Sequence, residues 1–172
     1  METITKAKIR SGLFTDKSSA DAAYKAAIDR GYKPEEISVI MSNDTKKKYY
    51  STSVVTTETG DKSMEGLAIG GALGGTALGV LAATIALSST IVIPGLGLVI
   101  AGPLAAGLVG AGAGSIAGGL LGTLIGAGIS EEHATIYENG IKKGGIVISV
   151  NSDNDDNALI EDWKKYNGKN IY

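Results

Sequence analysis

The stretch GAGAGSIAGGLLGTLIGAG, residues 110–128, carries glycine at every fourth position (Gly110, Gly114, Gly118, Gly122 and Gly126) and no charged residue. Glycine is the poorest helix former after proline. A period of four glycines therefore has to be explained by what that face touches, not by propensity. Outward from this stretch, the uncharged run extends from Gly66 to Ser130, 65 residues without Asp, Glu, Lys, Arg or His. All 34 charged residues lie in the other 107, making those about a third charged, as a solvated surface requires. The chain joins two physical classes.

An uncharged run of this length far exceeds the roughly 20 apolar residues that cross a bilayer once. IVIPGLG, with Pro94, Gly95 and Gly97, is the natural break, because proline and closely spaced glycines end helices. The reading is a hairpin of two helices, about residues 64–89 and 101–129, joined by a turn at Pro94, Gly95 and Gly97. At 1.5 Å per residue these reach roughly 38–43 Å, enough to span with tilt. In lipid, helices associate through close backbone contact, which small residues permit. The second helix offers the row at 110, 114, 118, 122 and 126. The first offers two adjacent rows, Gly66-Gly70-Gly74 and Gly71-Gly75-Gly79. One row can meet the hairpin partner and another a neighbouring subunit, which predicts a homo-oligomer. Trp and Tyr, expected at bilayer interfaces, are absent between residues 51 and 136. The alternative is that the same helices form the buried middle of a soluble assembly.

The flanks, residues 1–65 and 130–172, read as one soluble α+β domain interrupted by the 66–129 hairpin. KAKIRSGLF alternates as a half-buried strand, with Ala7, Ile9 and Leu13 opposite Lys6, Lys8 and Arg10. SSADAAYKAAIDRG is a helix, with Ser18 as cap, Asp21 as capping-box partner, an Ala20, Ala23, Tyr24, Ala27, Ile28 stripe, and Gly31 at its end. Ile37–Met41 is a second strand, and Tyr49–Thr57, rich in Tyr, Thr and Val, a third. SEEHATIYENGIKKGG is a helix with Ser130 as cap, acidic residues first and Lys142 and Lys143 last. GIVISV is a buried strand. The closing helix sets Leu159, Ile160, Trp163 and Tyr166 near one face. The order β-α-β-β-α-β matches the ferredoxin-like plan. Neither flank is large enough to bury a good core alone.

Residues 93–150, with Ser130, Glu131, Glu132, Ala134, Tyr137, Glu138, Gly140, Gly144 and Gly145, resemble the bacterial general-stress and low-temperature-induced protein family. That pattern is an apolar glycine-rich hairpin, an acidic-started helix carrying a tyrosine and a glycine, then Gly-Gly and a strand. SGLFTDKSSADAAYKAAIDRGYKPEEISVI fits the family's opening β-α-β, and His133 departs from its pattern. The resemblance implies a membrane-associated stress protein without a defined enzymatic activity.

Catalytic chemistry is not visible. There is no cysteine and one histidine, His133, which reads as a solvated residue at a helix start. SDNDDN (152–157) alternates like a calcium loop but has Ala158 where the turn needs glycine and Lys164 where a glutamate belongs. It reads as a turn capping the final helix. Gly112-Ala-Gly114-Ser-Ile-Ala117 mimics a dinucleotide fingerprint without the preceding strand. KKKYY, residues 46–50, suits either phosphates and anionic headgroups or a solvated loop. A net charge of −2 gives no case for nucleic acid.

METITKAKIR has no apolar h-region, so no secretory signal peptide is expected. The lysines at 46–48, 62, 142 and 143 flank the run, so the positive-inside rule puts both termini in the cytoplasm at a bacterial inner membrane. The expected function is a non-enzymatic stress protein that assembles through glycine-faced helices. Its expected partners are the bilayer and its own copies, with no cofactor, metal or evident small-molecule substrate. The alternatives are a stress-linked pore, a small-ligand sensing domain on an anchor, and a soluble oligomeric cage.

Overall fold

The computed structural model describes residues 8–50, 90–93, 95–105, 118–126, 128–152 and 156–172. Strand β1, Lys8–Phe14, leads into helix α1, Lys17–Asp29. Asp16 caps this helix. Its Oδ1 accepts from the Ser19 amide and its Oδ2 from the Ser19 hydroxyl, both at 2.8 Å. The cap expected at Ser18 thus lies two residues earlier, because a carboxylate there takes both donors of Ser19. Asp21, expected as the capping partner, accepts instead from Lys17 at 2.6 Å and from the Tyr50 hydroxyl at 3.2 Å. The predicted stripe holds: Ala20, Ala23, Tyr24 and Ala27 are buried.

A 3-10 turn at Pro34–Glu36 precedes β2, Ile37–Ser42, and α2, Asn43–Tyr50, starts at once. The expected third strand at Tyr49–Thr57 is corrected at its start, since Tyr49 and Tyr50 close α2. Ser42 explains the switch: its Oγ accepts the Thr45 amide at 3.1 Å, capping a helix directly at the strand's end. Residues 51–57 of that strand lie outside the described residues.

Next come β3, Thr90–Ile93, and β4, Leu98–Ala101, then α3, Gly119–Gly126, and α4, Glu131–Lys142. β5, Ile146–Ser152, and α5, Asn157–Lys165, finish the order, with Asp156 capping α5 through the Leu159 amide at 3.0 Å. The chain is a mixed α+β protein. Its sheet runs β1-β5-β2-β4-β3, every neighbouring pair antiparallel. β1 and β2, joined through α1, lie either side of β5, while β4 and β5 lie either side of β2. Two split β-α-β units therefore interleave.

The central stretch behaves differently from the expected hairpin of membrane helices. Pro94 and the helix expected at 64–89 lie outside the described residues, but Gly95 (φ +85) and Gly97 (φ +62) do sit in a turn. That turn joins two strands. TIVI and LVIA are β-branched and apolar, and pairing β4 with β2 satisfies their backbone groups while burying Leu98, Val99, Ile100 and Ala101. Of the helix expected at 101–129, Ala101 instead closes β4, residues 103–105 are helical, and α3 supplies eight residues or about 12 Å; residues 106–117 lie outside the described residues.

No helix among the described residues is long and apolar enough to cross a membrane. This overturns the expected transmembrane span and glycine zipper, and with them the inner-membrane location with cytoplasmic termini. α3 packs through Leu120, Thr123 and Leu124, whereas Gly118 and Gly126 are exposed and Gly122 is half-buried. Leucines make the contact. Gly66, Gly70, Gly71, Gly74, Gly75, Gly79, Gly110 and Gly114 lie outside the described residues.

Both faces of the sheet are covered. On one, Phe14, Ile37, Val39, Met41, Ile146, Ile148 and Val150 pack with Tyr24 of α1 and Leu159 and Trp163 of α5. The Trp163 indole donates to the Ala23 carbonyl at 3.0 Å and its ring meets Phe14 edge-on at 5.8 Å. On the other, Leu13, Ile40, Ile100 and Val147 pack with Leu124 of α3 and Tyr137 and Ile141 of α4. The residues carrying the family resemblance sit at this second layer. A Cβ on Gly140 would lie 2.7 Å from Leu13 Cδ1, and Gly144 (φ +94) turns the chain from α4 into β5. Residues 169–172 close the outer edge of β1, where Leu13 and Lys169 exchange backbone bonds at 2.8 and 2.9 Å and Ser11 and Tyr172 at 2.9 and 3.0 Å.

Gly102 marks the tightest crossing. It has φ +90, and a Cβ there would fall on the Ile37 carbonyl oxygen and 2.9 Å from Ser38 Cα, where β4 hands the chain across the start of β2. Gly95 has a similar φ of +85 but open space around it. Gly95→Ala is expected to cost about 1–2 kcal/mol of backbone strain. Gly102→Ala adds the clash and is expected to lose at least about 3 kcal/mol in urea denaturation. Equal losses for the two would show that the Ile37 contact does not constrain the fold.

Candidate functional site

Four loops meet at one end of the sheet, where β1 and β2 end and β4 and β5 begin, and enclose a cleft of about 420 Å³. This is within the size of small-molecule sites. Thr15 comes from the β1–α1 loop. Ser42, Asp44, Thr45, Lys48 and Tyr49 come from the end of β2 and from α2. Leu96 and Gly97 come from the β3–β4 turn, and Lys142, Lys143 and Gly144 from the α4–β5 turn. Three of the four walls are fixed locally. The Asn43 amide donates to the Gly97 carbonyl at 2.6 Å, pinning the β-turn onto the start of α2. The Ser42 and Thr45 hydroxyls bond at 2.8 Å. The Gly145 amide returns to the Gly140 carbonyl at 2.8 Å, setting where Lys143 leaves α4.

The charge in the cleft is uneven. Lys142 donates to Glu138 at 2.6 Å, one turn back on α4. Lys48 lies over the Tyr49 ring, 4.8 Å from its centroid. Neither Lys48 nor Lys143 makes an ion pair among the described residues, and Asp44 is the one carboxylate among the lining residues.

Of the positions expected to matter from the sequence, Gly97 lines this cleft and Gly95 stands beside it in the turn. Gly122 and Gly126 belong to α3 and Gly118 immediately precedes it, and none of the three lines the cleft. KKKYY, with its two readings, supplies Lys48 and Tyr49. Thr15, Ser42, Asp44 and Lys143 carried no sign of a shared site in the sequence, because only the interleaved topology brings the ends of β1, α2 and α4 together.

Two other polar centres tie elements together. Arg30 holds Asp162 Oδ2 through Nε at 2.8 Å and Nη2 at 2.6 Å, joining α1 to α5. The Arg30 hydrogen bond holds the Asp162 carboxyl below its usual range, and that same bond raises Arg30. Tyr32 donates to Ser152 at 3.1 Å and Asp156 at 3.2 Å, and burial raises its phenol. In the second centre the Tyr137 hydroxyl donates to the Asn170 carbonyl at 2.7 Å and pairs with Ser11 Oγ at 2.9 Å. His133, half-buried rather than fully solvated, bonds Ser130 Oγ through Nδ1 at 2.8 Å and meets the Tyr172 ring at a 40° tilt, 4.5 Å between centroids. These contacts lock the C-terminal segment. Among the described residues no group of three or more His, Cys, Asp or Glu could hold a metal ion.

No family model, no curated protein and no solved structure matches the chain.

Burial pushes the Tyr137 phenol up to about 12, against an ordinary value of 10.0. The folded state therefore keeps a proton that the unfolded chain releases. Stability from this group is complete below pH 10 and is lost as pH rises toward 12. Tyr50 is raised in the same direction, chiefly by burial. Tyr137→Phe is expected to lower stability by about 1–2 kcal/mol at pH 7, since it leaves Ser11 and the Asn170 carbonyl without this partner. It is also expected to flatten the decline between pH 10 and 12. Urea titrations across that range check both. An unchanged alkaline slope would remove Tyr137 as its source.

Proposed function

We propose that this chain is a non-enzymatic binding protein whose α+β domain takes a small polar ligand in the cleft between α2, the β3–β4 turn and the α4–β5 turn. The cleft itself carries the reading: four loops, three of them pinned by backbone or hydroxyl bonds, converge on one concave space of about 420 Å³ with mixed polar and apolar walls. No base, nucleophile and orienting group stand together along its walls, so binding without turnover is the simplest chemistry it offers. We further propose membership of the general-stress and low-temperature-induced group. Tyr137, Gly140 and Gly145, which carry that resemblance, support the domain's build, while Gly144 borders the cleft. The sheet itself is proposed as a ferredoxin-like variant in which each split unit straddles the other's second strand.

A second reading, association between copies, is favoured by the outer strand β3, where Val92 is 47% exposed, and by Ile125 of α3, 41% exposed. An open edge strand without charges is a template for pairing. Light scattering after size exclusion is expected to show a dimer or larger for the wild-type chain and a smaller species for Val92→Lys. A wild-type monomer would sink this reading.

The binding reading is tested by two-dimensional NMR of the full chain against a panel of charged and neutral metabolites. Shifts clustered at Thr15, Asp44, Lys48, Lys143 and Gly144, with the ligand recovered unchanged, are expected. Shifts confined to other surfaces, or chemical conversion of the ligand, would overturn it.

A further inference from the structure

We infer that the ligand of this cleft is a small organic phosphate, held between Lys48 of α2 and Lys143 at the end of α4. This inference rests on the binding reading above and names its substrate class. Five helix lysines are already neutralised: Lys17 by Asp21, Lys25 by Asp29, Lys142 by Glu138, Lys164 by Glu161 and Lys165 by Asp162. Lys46, Lys47 and Lys48 of α2 make no ion pair among the described residues, and of these three only Lys48 lines the cleft. Lys48 and Lys143 come from elements far apart in sequence, line the same cleft and have no carboxylate partner among the described residues. Two ammonium groups against the single carboxylate of Asp44 leave the space positive, and a phosphate monoester brings close to two negative charges at neutral pH.

The remaining walls suit the same ligand. Thr15 supplies a hydroxyl, Gly97 and Gly144 leave room for close approach, and Leu96 and Tyr49 add apolar surface for an organic body. The space is several times what a bare phosphate ion fills, so the anion is the head of a larger molecule. Lys48 rests on the Tyr49 ring at 4.8 Å, a weak contact at an exposed site. Turning toward a phosphate trades that contact for a charge-assisted bond and frees the ring face for the ligand's body. Asp44, on the same wall as Lys48, sets the specificity, because it repels a second anionic group and accepts from hydroxyls of a sugar.

Isothermal titration calorimetry on the full chain, with ribose 5-phosphate and AMP as probes and ribose and adenosine as their unphosphorylated counterparts, tests the assignment. The phosphorylated probes are expected to bind and the counterparts to bind at least tenfold more weakly. Affinity is expected to fall as salt rises, since exposed charges are screened. Lys48→Gln and Lys143→Gln are each expected to weaken binding at least fivefold, while Lys47→Gln, on the same helix but outside the cleft, leaves it unchanged. Circular dichroism confirms that each variant is folded. Equal affinity for ribose and ribose 5-phosphate, or no loss in the Lys48 and Lys143 variants, overturns the phosphate assignment. If a neutral metabolite shifts the cleft resonances while neither phosphate binds, the binding reading stands and this inference fails. If nothing shifts them, both fail.

Discussion

β5 is buried on both faces, and that condition organises the chain. Ile146, Ile148 and Val150 enter one cluster while Val147 enters the other, and every residue from Ile146 to Val150 is covered. A strand of this kind cannot exist at a surface. It needs a strand on each side for its backbone and a helix layer on each face for its side chains. β1 and β2 supply the first, 7 and 5 register pairs respectively. α1 with α5, and α3 with α4, supply the second. Because the partners come from both ends of the chain and from its middle, the sheet forms only when all three regions are present.

That dependence explains which parts of the fold were legible in the sequence. Elements whose signals are local came through: the alanine stripe of α1, the acid-first, lysine-last α4, and the run GIVISV. Ser130 stands at the start of α4 as expected, although its hydroxyl bonds His133 and no helix amide. α2 was hidden, because Tyr49 and Tyr50 carry strand propensity while the Ser42 cap outweighs it. The cap of α1 was misplaced because Asp16 and Ser18 are both competent, and only the geometry at Ser19 separates them.

The uncharged run misled for a more general reason. Absence of charge reports that a segment avoids water, and a strand covered on both faces, such as Leu98–Ala101, avoids water as completely as lipid does. Length and glycine spacing favoured helices, but TIVI and LVIA on either side of PGLG is the pattern of a β-hairpin. Propensity within four-residue windows was the better guide there than the composition of the whole run. Glycine then has several separate duties. At Gly95, Gly97 and Gly102 it permits positive φ, and at Gly140 and Gly145 it makes room for the Leu13 side chain. No single spacing rule covers these.

The cleft follows from the same architecture. Interleaving two split units places the ends of β1 and β2 together with the beginnings of β4 and β5, so every loop at that end has to cross or border its neighbours. Loops there are anchored at the sheet yet exposed above it, the usual place for recognition on a rigid scaffold. The buried side of each anchor is spent on the fold, as in the Asn43–Gly97 and Ser42–Thr45 bonds. What remains on the exposed side is long, flexible and charged. Lysine is the residue that serves both ends of such a wall, since its methylene stem lies on apolar surface while its ammonium stays in water. At Lys48 the ammonium itself lies over the Tyr49 ring, 4.8 Å from its centroid. Lys48, Lys143 and Asp44 are all exposed at this rim, so its charges of both signs stay solvated while the turns beneath them hold the fold.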